Sequence, residues 1–240
     1  MLLFVANWKM NLTRREAAEY VRELSSRIGP VPPAVELAIA PPFTAFDAAR
    51  DPSARWSLAG QNVASEPAGP FTGEVSARML AEAGCRFVIV GHSERRSLFG
   101  ERAGTLALKL ARAREEGLVP IYCLGETAEE RAAGGTAATL ARQAETLRDD
   151  PPSAPLVVAY EPIWAIGTGH AAAPEDAAAA RRHLLRLLEG RRDLRVLYGG
   201  SVAPENASAL LELSGMDGFL IGGAGLNPAS FAAIAGVGRP

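Results

Sequence analysis

The chain has 240 residues, 48% of them hydrophobic and 22% charged, which is enough apolar material for one large core. Its 25 basic and 27 acidic residues leave a net charge of −2, which argues against nucleic acid or an acidic membrane as partner. The start carries no basic segment and only a short apolar run, no stretch reaches transmembrane length, and Cys85 and Cys123 make no disulfide framework. The expected setting is therefore the reduced cytoplasm.

Leu2 to Ala6 is a short apolar run and reads as a first strand. Thr13-Arg14-Arg15-Glu16 matches a capping box and opens a helix to about Arg27, which Gly29-Pro30 ends. Val35 to Ala40 reads as a second strand, with Pro41-Pro42 and a short helix from Thr44 behind it. Trp56 to Gln61 reads as a third strand. A loop, Asn62 to Gly73, then carries Pro67, Gly69, Pro70 and Gly73 before a helix over Glu74 to Ala83. Phe87 to Gly91 is strand four, and an amphipathic helix runs from Thr105 to Glu116. On that helix Lys109 reads as a solvated charge.

Val119 to Leu124 is strand five, with helical sequence from Thr136 to Leu147. Leu156 to Tyr160 is strand six. Pro174-Glu175-Asp176 puts proline and acids in the first turn of a helix that reaches Glu189. Arg195 to Tyr198, a helix over Glu205 to Leu213, and Gly218 to Ile221 complete the alternation, and Asn227-Pro228 caps a last short helix. No linker or change of composition divides residues 1–240. Eight strands alternating with helices at about 30-residue spacing imply a single-domain (β/α)8 barrel. An open doubly wound sheet is the rival, but the first strand runs into Asn7-Trp8-Lys9 where such a sheet carries a glycine-rich turn.

In a barrel, chemistry gathers where the strands end. Strand one ends in Asn7 and Lys9. Strand four ends in Gly91-His92-Ser93-Glu94, and strand six in Glu161-Pro162. The last two strands end in Gly199-Gly200-Ser201 and Gly222-Gly223, adjacent glycine-rich turns of the kind that hold a phosphate. Trp164, Ile166, Gly167 and Gly169 follow Glu161 as an apolar, glycine-hinged segment suited to closing over a site and excluding water. Of the 25 basic residues only Lys9 and Lys109 are lysine, so Lys9 stands out as a compact charge kept where arginine is the rule.

Asn7-Trp8-Lys9, Gly91 to Arg96, Ala159-Tyr160-Glu161-Pro162, the segment Trp164 to Gly169, and Tyr198-Gly199-Gly200-Ser201 resemble the triosephosphate isomerase family. Gln61-Asn62-Val63, Cys123 to Thr127 and Asp217 to Gly223 are similar to it as well, so the resemblance runs from the first strand to the last. It implies interconversion of dihydroxyacetone phosphate and glyceraldehyde 3-phosphate, a step of glycolysis and gluconeogenesis, through an enediolate and with no cofactor or metal. Glu161 would be the base, and His92 a neutral imidazole polarising the substrate oxygens. Lys9 and Asn7 would stabilise negative charge, with Glu94 as their partner. Gly167, Ser201, Gly222 and Gly223 would give N–H groups to phosphate.

The resemblance also implies a homodimer, in which the loop Asn62–Gly73 enters the neighbouring subunit and brings Thr72 near its active site. Three places depart from the family pattern: the second hinge, which reads His170-Ala171-Ala172, Gly225 in place of serine, and Ala77 in place of proline. Two other functions remain open from sequence. A barrel aldolase would use Lys9 as a Schiff-base nucleophile, and a sugar-phosphate binding protein would have no need of Glu161 and His92 on one ligand.

Overall fold

A computed structural model describes residues 1–51, 53, 55–167 and 172–237. Eight parallel strands close on themselves in sequence order: β1 (Leu2–Asn7), β2 (Val35–Ala40), β3 (Ser57–Gly60), β4 (Cys85–Val90), β5 (Val119–Leu124), β6 (Leu156–Tyr160), β7 (Leu194–Tyr198) and β8 (Gly218–Ile221). Closure rests on β1 pairing with β8 in the register Leu3 to Gly218 through Ala6 to Ile221. The strands are apolar on both faces, as a helix-covered parallel sheet requires. Leu3, Val5, Phe87, Ile89, Ile121, Val157 and Leu197 fill the barrel, while Phe4, Val88, Tyr122, Val158 and Phe219 face the helices. Gly218 (φ +126°) permits the closing contact, because a Cβ there would lie 1.9 Å from the Leu3 carbonyl oxygen.

The outer layer among the described residues is α1 (Arg14–Arg27), α2 (Phe46–Ala49), α3 (Ala77–Glu82), α4 (Ser93–Leu98), α5 (Ala103–Glu115), α6 (Ala128–Ala132), α7 (Thr136–Ala144), α8 (Pro174–Leu187), α9 (Pro204–Ser214) and α10 (Pro228–Gly236). Thr13 and Glu16 form the expected capping box, and Asn227 accepts from the Ser230 N–H as the cap of α10. The helix expected from Glu74 starts three residues later. Ser76 caps it by accepting from Met79 N–H, and the Glu74 N–H is spent on the Phe71 carbonyl. Ala77 is thus the first residue of α3, the one helical position where proline and an ordinary residue are both at ease.

Periodicity gives no sign of α6. It has five residues and buries none of them, and its capping box, Thr127 with Glu130, defines it.

Lys109 corrects the reading of a solvated charge. It is buried, with Nζ 2.6 Å from Asn62 Oδ1 and paired with Glu101, which also accepts from Arg95 Nε at 2.6 Å. Burial pulls its ammonium below the usual lysine range, with the Glu101 carboxylate opposing. Its spacing from Leu106, Leu110 and Ala113 is that of the buried stripe of α5, so helical periodicity places it inward. Cys85 and Cys123 are separate buried thiols, and burial pushes the Cys85 thiol up to about 12.

Candidate active site

All the strand-end groups singled out above converge on one mouth. Asn7 closes β1 and accepts the Lys9 N–H on Oδ1 at 3.1 Å. Lys9 sits at φ +52°, a conformation that lysine rarely adopts and that its surroundings must hold. The Gln61 amide does so by donating at 2.8 Å to both the Lys9 and the Ala40 carbonyls. Lys9 Nζ then lies 2.6 Å from Glu94 Oε1, a half-exposed partner.

Beyond β4, Gly91 turns the chain at φ +71° and His92 becomes the N-cap of α4. His92 Nδ1 accepts the Glu94 N–H at 3.3 Å. An accepting Nδ1 leaves the proton of a neutral imidazole on Nε2. That Nε2 is 3.0 Å from Glu161 Oε1, and Glu161 Oε2 accepts the Ser93 N–H at 2.9 Å. Glu161 is only 1% exposed. Both of its oxygens are therefore occupied by protein donors.

The glycines after β7 are there for close approach. A Cβ on Gly199 would fall 2.9 Å from Glu161 Cγ, and one on Gly200 would fall 2.3 Å from the Tyr198 hydroxyl oxygen. That hydroxyl accepts the Ala172 N–H at 2.8 Å, and Ser201 Oγ donates to the Ala165 carbonyl at 2.7 Å. The β7 turn thus grips both described sides of the segment after Glu161. A cavity of about 320 Å3 collects Asn7, Lys9, His92, Glu161, Ile166, Gly167, Ser201, Gly222 and Gly223. Glu94 lies outside it, in an adjoining cavity of about 280 Å3 reached past Lys9. Thr168, Gly169 and the His170-Ala171 hinge lie outside the described residues.

Gly225 is accommodated. Its carbonyl accepts the Tyr20 hydroxyl at 2.8 Å, and a Cβ there would press on Ala6 at 3.2 Å.

Sequence reasoning assigned no role to several residues that shape this mouth. Glu126 is fully buried and accepts on Oε1 from the Tyr160 hydroxyl (3.0 Å) and the Trp164 indole N–H (2.9 Å), anchoring the start of the segment after Glu161. The Arg131 guanidinium stacks 4.0 Å above the Trp164 ring. Asn206 accepts the Ala203 N–H and donates to the Ser201 carbonyl, fixing the turn that carries Ser201. Among the described residues no cluster of His, Cys, Asp and Glu is arranged to hold a metal, and no helix is long and apolar enough to cross a membrane.

The sequence model of the family described as triosephosphate isomerase matches residues 2–237. A protein named triosephosphate isomerase from Symbiobacterium thermophilum is 45% identical over 97% of this chain and 94% of its own length. Proteins of the same name from Rubrobacter xylanophilus and Chlorobaculum tepidum are each 46% identical, covering 95% and 96% of this chain and 94% and 98% of their own.

Proposed function

The chain belongs to the triosephosphate isomerase family and interconverts dihydroxyacetone phosphate and D-glyceraldehyde 3-phosphate through an enediolate, and on that premise we propose how its own residues carry the reaction. Glu161 takes the proton from one substrate carbon and returns it to the next. The observation that supports this is its buried carboxylate at the cavity wall, 3.0 Å from His92 Nε2. Reaching a carbon costs the Ser93 hydrogen bond, and closure of Ile166 and Gly167 over the cavity removes water from around the reacting atoms.

His92 donates from Nε2 to the oxygens that become negative. As a neutral donor it polarises them without surrendering its proton outright. Lys9 Nζ supplies a full charge near the same oxygens, steered by Glu94, while Asn7 offers its amide. Gly167, Ser201, Gly222 and Gly223 present backbone N–H groups to the phosphate, which is supported by their standing together on the wall of one cavity. Gly199→Ala tests the placement of the base. The added methyl meets Glu161 Cγ rather than the mobile end of the side chain, so kcat is expected to fall about 10²-fold with inhibition by inorganic phosphate little changed. Wild-type kcat in that variant would mean that the close approach at Gly199 does not set the position of Glu161.

The same reading makes the enzyme a homodimer through the loop Asn62–Gly73. Phe71 at its tip is 44% exposed, and the cavity beside Lys9 and Glu94 is rimmed by Met10 and Phe99, which are 95% and 67% exposed. An apolar tip and an apolar-rimmed groove on one surface are what a two-fold pair requires. Replacing Phe71 and Thr72 together by serine and alanine is expected to give monomers by sedimentation and to lower activity by about tenfold or more, since Lys9 and His92 lose a wall. Fully active monomers would make the loop mere surface. A cytoplasmic setting fits the two buried, unpaired cysteines.

A further inference from the structure

Gln143, on the outer helix α7, makes a paired contact that the reaction as described leaves unused. Its Oε1 accepts the Gly125 N–H at 2.9 Å and its Nε2 donates to the Gly125 carbonyl at 3.0 Å. One side-chain amide thus satisfies both backbone groups of one residue, as a neighbouring strand would. The strand is missing there for a definite reason. In a parallel sheet, successive residues point their backbone groups to alternate sides. Leu124 and Glu126 offer their carbonyls to the chain leaving β6, accepting the N–H groups of Glu161 (2.8 Å) and Ile163 (3.0 Å). Gly125 between them has no such strand partner, since the pairing of β4 with β5 ends at Val90 with Tyr122 and the chain after β4 has turned away into α4.

Gly125 is also the residue on which the base rests. A Cβ there would stand 1.7 Å from the Glu161 carbonyl oxygen, so the two backbones lie flush. Any swing of the 124–126 segment is transmitted to the Glu161 peptide, and through the Glu126 carbonyl to Ile163, where the lid begins. The helix is itself tied down, since the Tyr122 hydroxyl donates to the Gln143 carbonyl at 2.8 Å.

We propose that Gln143 is a positioning residue: its amide completes the open edge of β5 at Gly125 and so holds the backbone that carries Glu161 and the first hinge of the lid. This rests on the reading of Glu161 as the base. Gln143 touches no substrate, so its removal changes the placement of the base and leaves in place the part of the phosphate grip that stands on the β7 and β8 turns, Ser201, Gly222 and Gly223.

The test is Gln143→Met, which keeps the length and loses both hydrogen bonds. The expected result is a kcat lower by about tenfold or more, with KM and the inhibition constant of inorganic phosphate within about twofold of wild type, and circular dichroism showing a fully folded protein. Gln143→Glu, which keeps an acceptor for the Gly125 N–H but sets a second oxygen against its carbonyl, is expected to show the same split should the methionine variant not fold. An unchanged kcat in either folded variant, or a kcat that falls only in proportion to the folded fraction, overturns the proposal. Glu161→Gln is assayed alongside. If it keeps its turnover, the base itself is misassigned; if it loses turnover while Gln143→Met does not, only the role of Gln143 fails.

Discussion

Glu161→Gln is expected to lower kcat by roughly 10³–10⁴-fold, about 4–5.5 kcal/mol of barrel-mouth chemistry lost with one atom exchanged. Glutamine preserves the volume of the side chain and removes the ability to accept a proton from carbon. It is not a silent replacement, because both carboxylate oxygens accept hydrogen bonds, one from Ser93 N–H and one from His92 Nε2. An amide can accept only one of them, and its NH2 then faces a donor. Turning His92 to its other tautomer offers no escape, since Nδ1 already accepts the Glu94 N–H. A local cost of about 1–3 kcal/mol follows for the unmatched pair. Thermal unfolding should therefore register the substitution mildly while kcat registers it severely.

Glu161→Asp separates chemistry from position. The carboxylate remains but retreats by one methylene, and about 10²-fold is the expected loss. Inhibition by inorganic phosphate should change little in either variant. The assignment is sunk if the glutamine enzyme turns over at a rate near that of the wild type, or if the aspartate enzyme is the worse of the two.

The parts of this site that sequence revealed are those that depend on local order. Glu161 is legible because Leu156 to Tyr160 is an unbroken apolar run that Pro162 stops, so a carboxylate must sit at a strand end. His92 is legible for the same reason after β4. The parts that stay hidden depend on contacts between distant segments. Glu126 is one acid in a polar stretch before a five-residue helix, and its partners stand 34 and 38 residues further on. Gln143 is one amide on an outer helix whose meaning appears only when Gly125 lies against Glu161. Gly199 looks like half of a tight turn, yet its lack of a side chain makes room for the base.

Lys109 is the opposite case. Its spacing with Leu106 and Leu110 is present in the sequence and places it on the buried stripe, against the expectation that a lone charge faces solvent. Two lysines among 25 basic residues both prove to be compact charges in crowded polar settings, one at the mouth and one beneath the Asn62 loop.

Lys9→Met is the second large loss to expect. Methionine fills the space beside Gly222, where the lysine Cε stands 3.6 Å from a notional Cβ, and removes the charge. Withdrawing a preorganised donor from a developing oxyanion costs about 10²–10³-fold. Here a second effect adds to it. Glu94, 2.6 Å from Lys9 Nζ in the adjoining cavity, becomes an uncompensated carboxylate beside the site, so kcat/KM should fall by about 10³-fold or more. Lys9→Arg should also fail, although it keeps the charge, because a planar fork pairs with Glu94 in a different geometry and spreads the charge that the ammonium concentrates at one point. The two effects can be separated by a double-mutant cycle. Glu94→Gln alone loosens Lys9 and should cost about tenfold. In the Lys9→Met background the same change removes the repelling charge, and it should raise kcat/KM rather than lower it further. A near-normal kcat/KM in Lys9→Met would mean that the ammonium has no part in stabilising the intermediate. Strict additivity across the cycle would mean that Glu94 acts on its own account and not through Lys9.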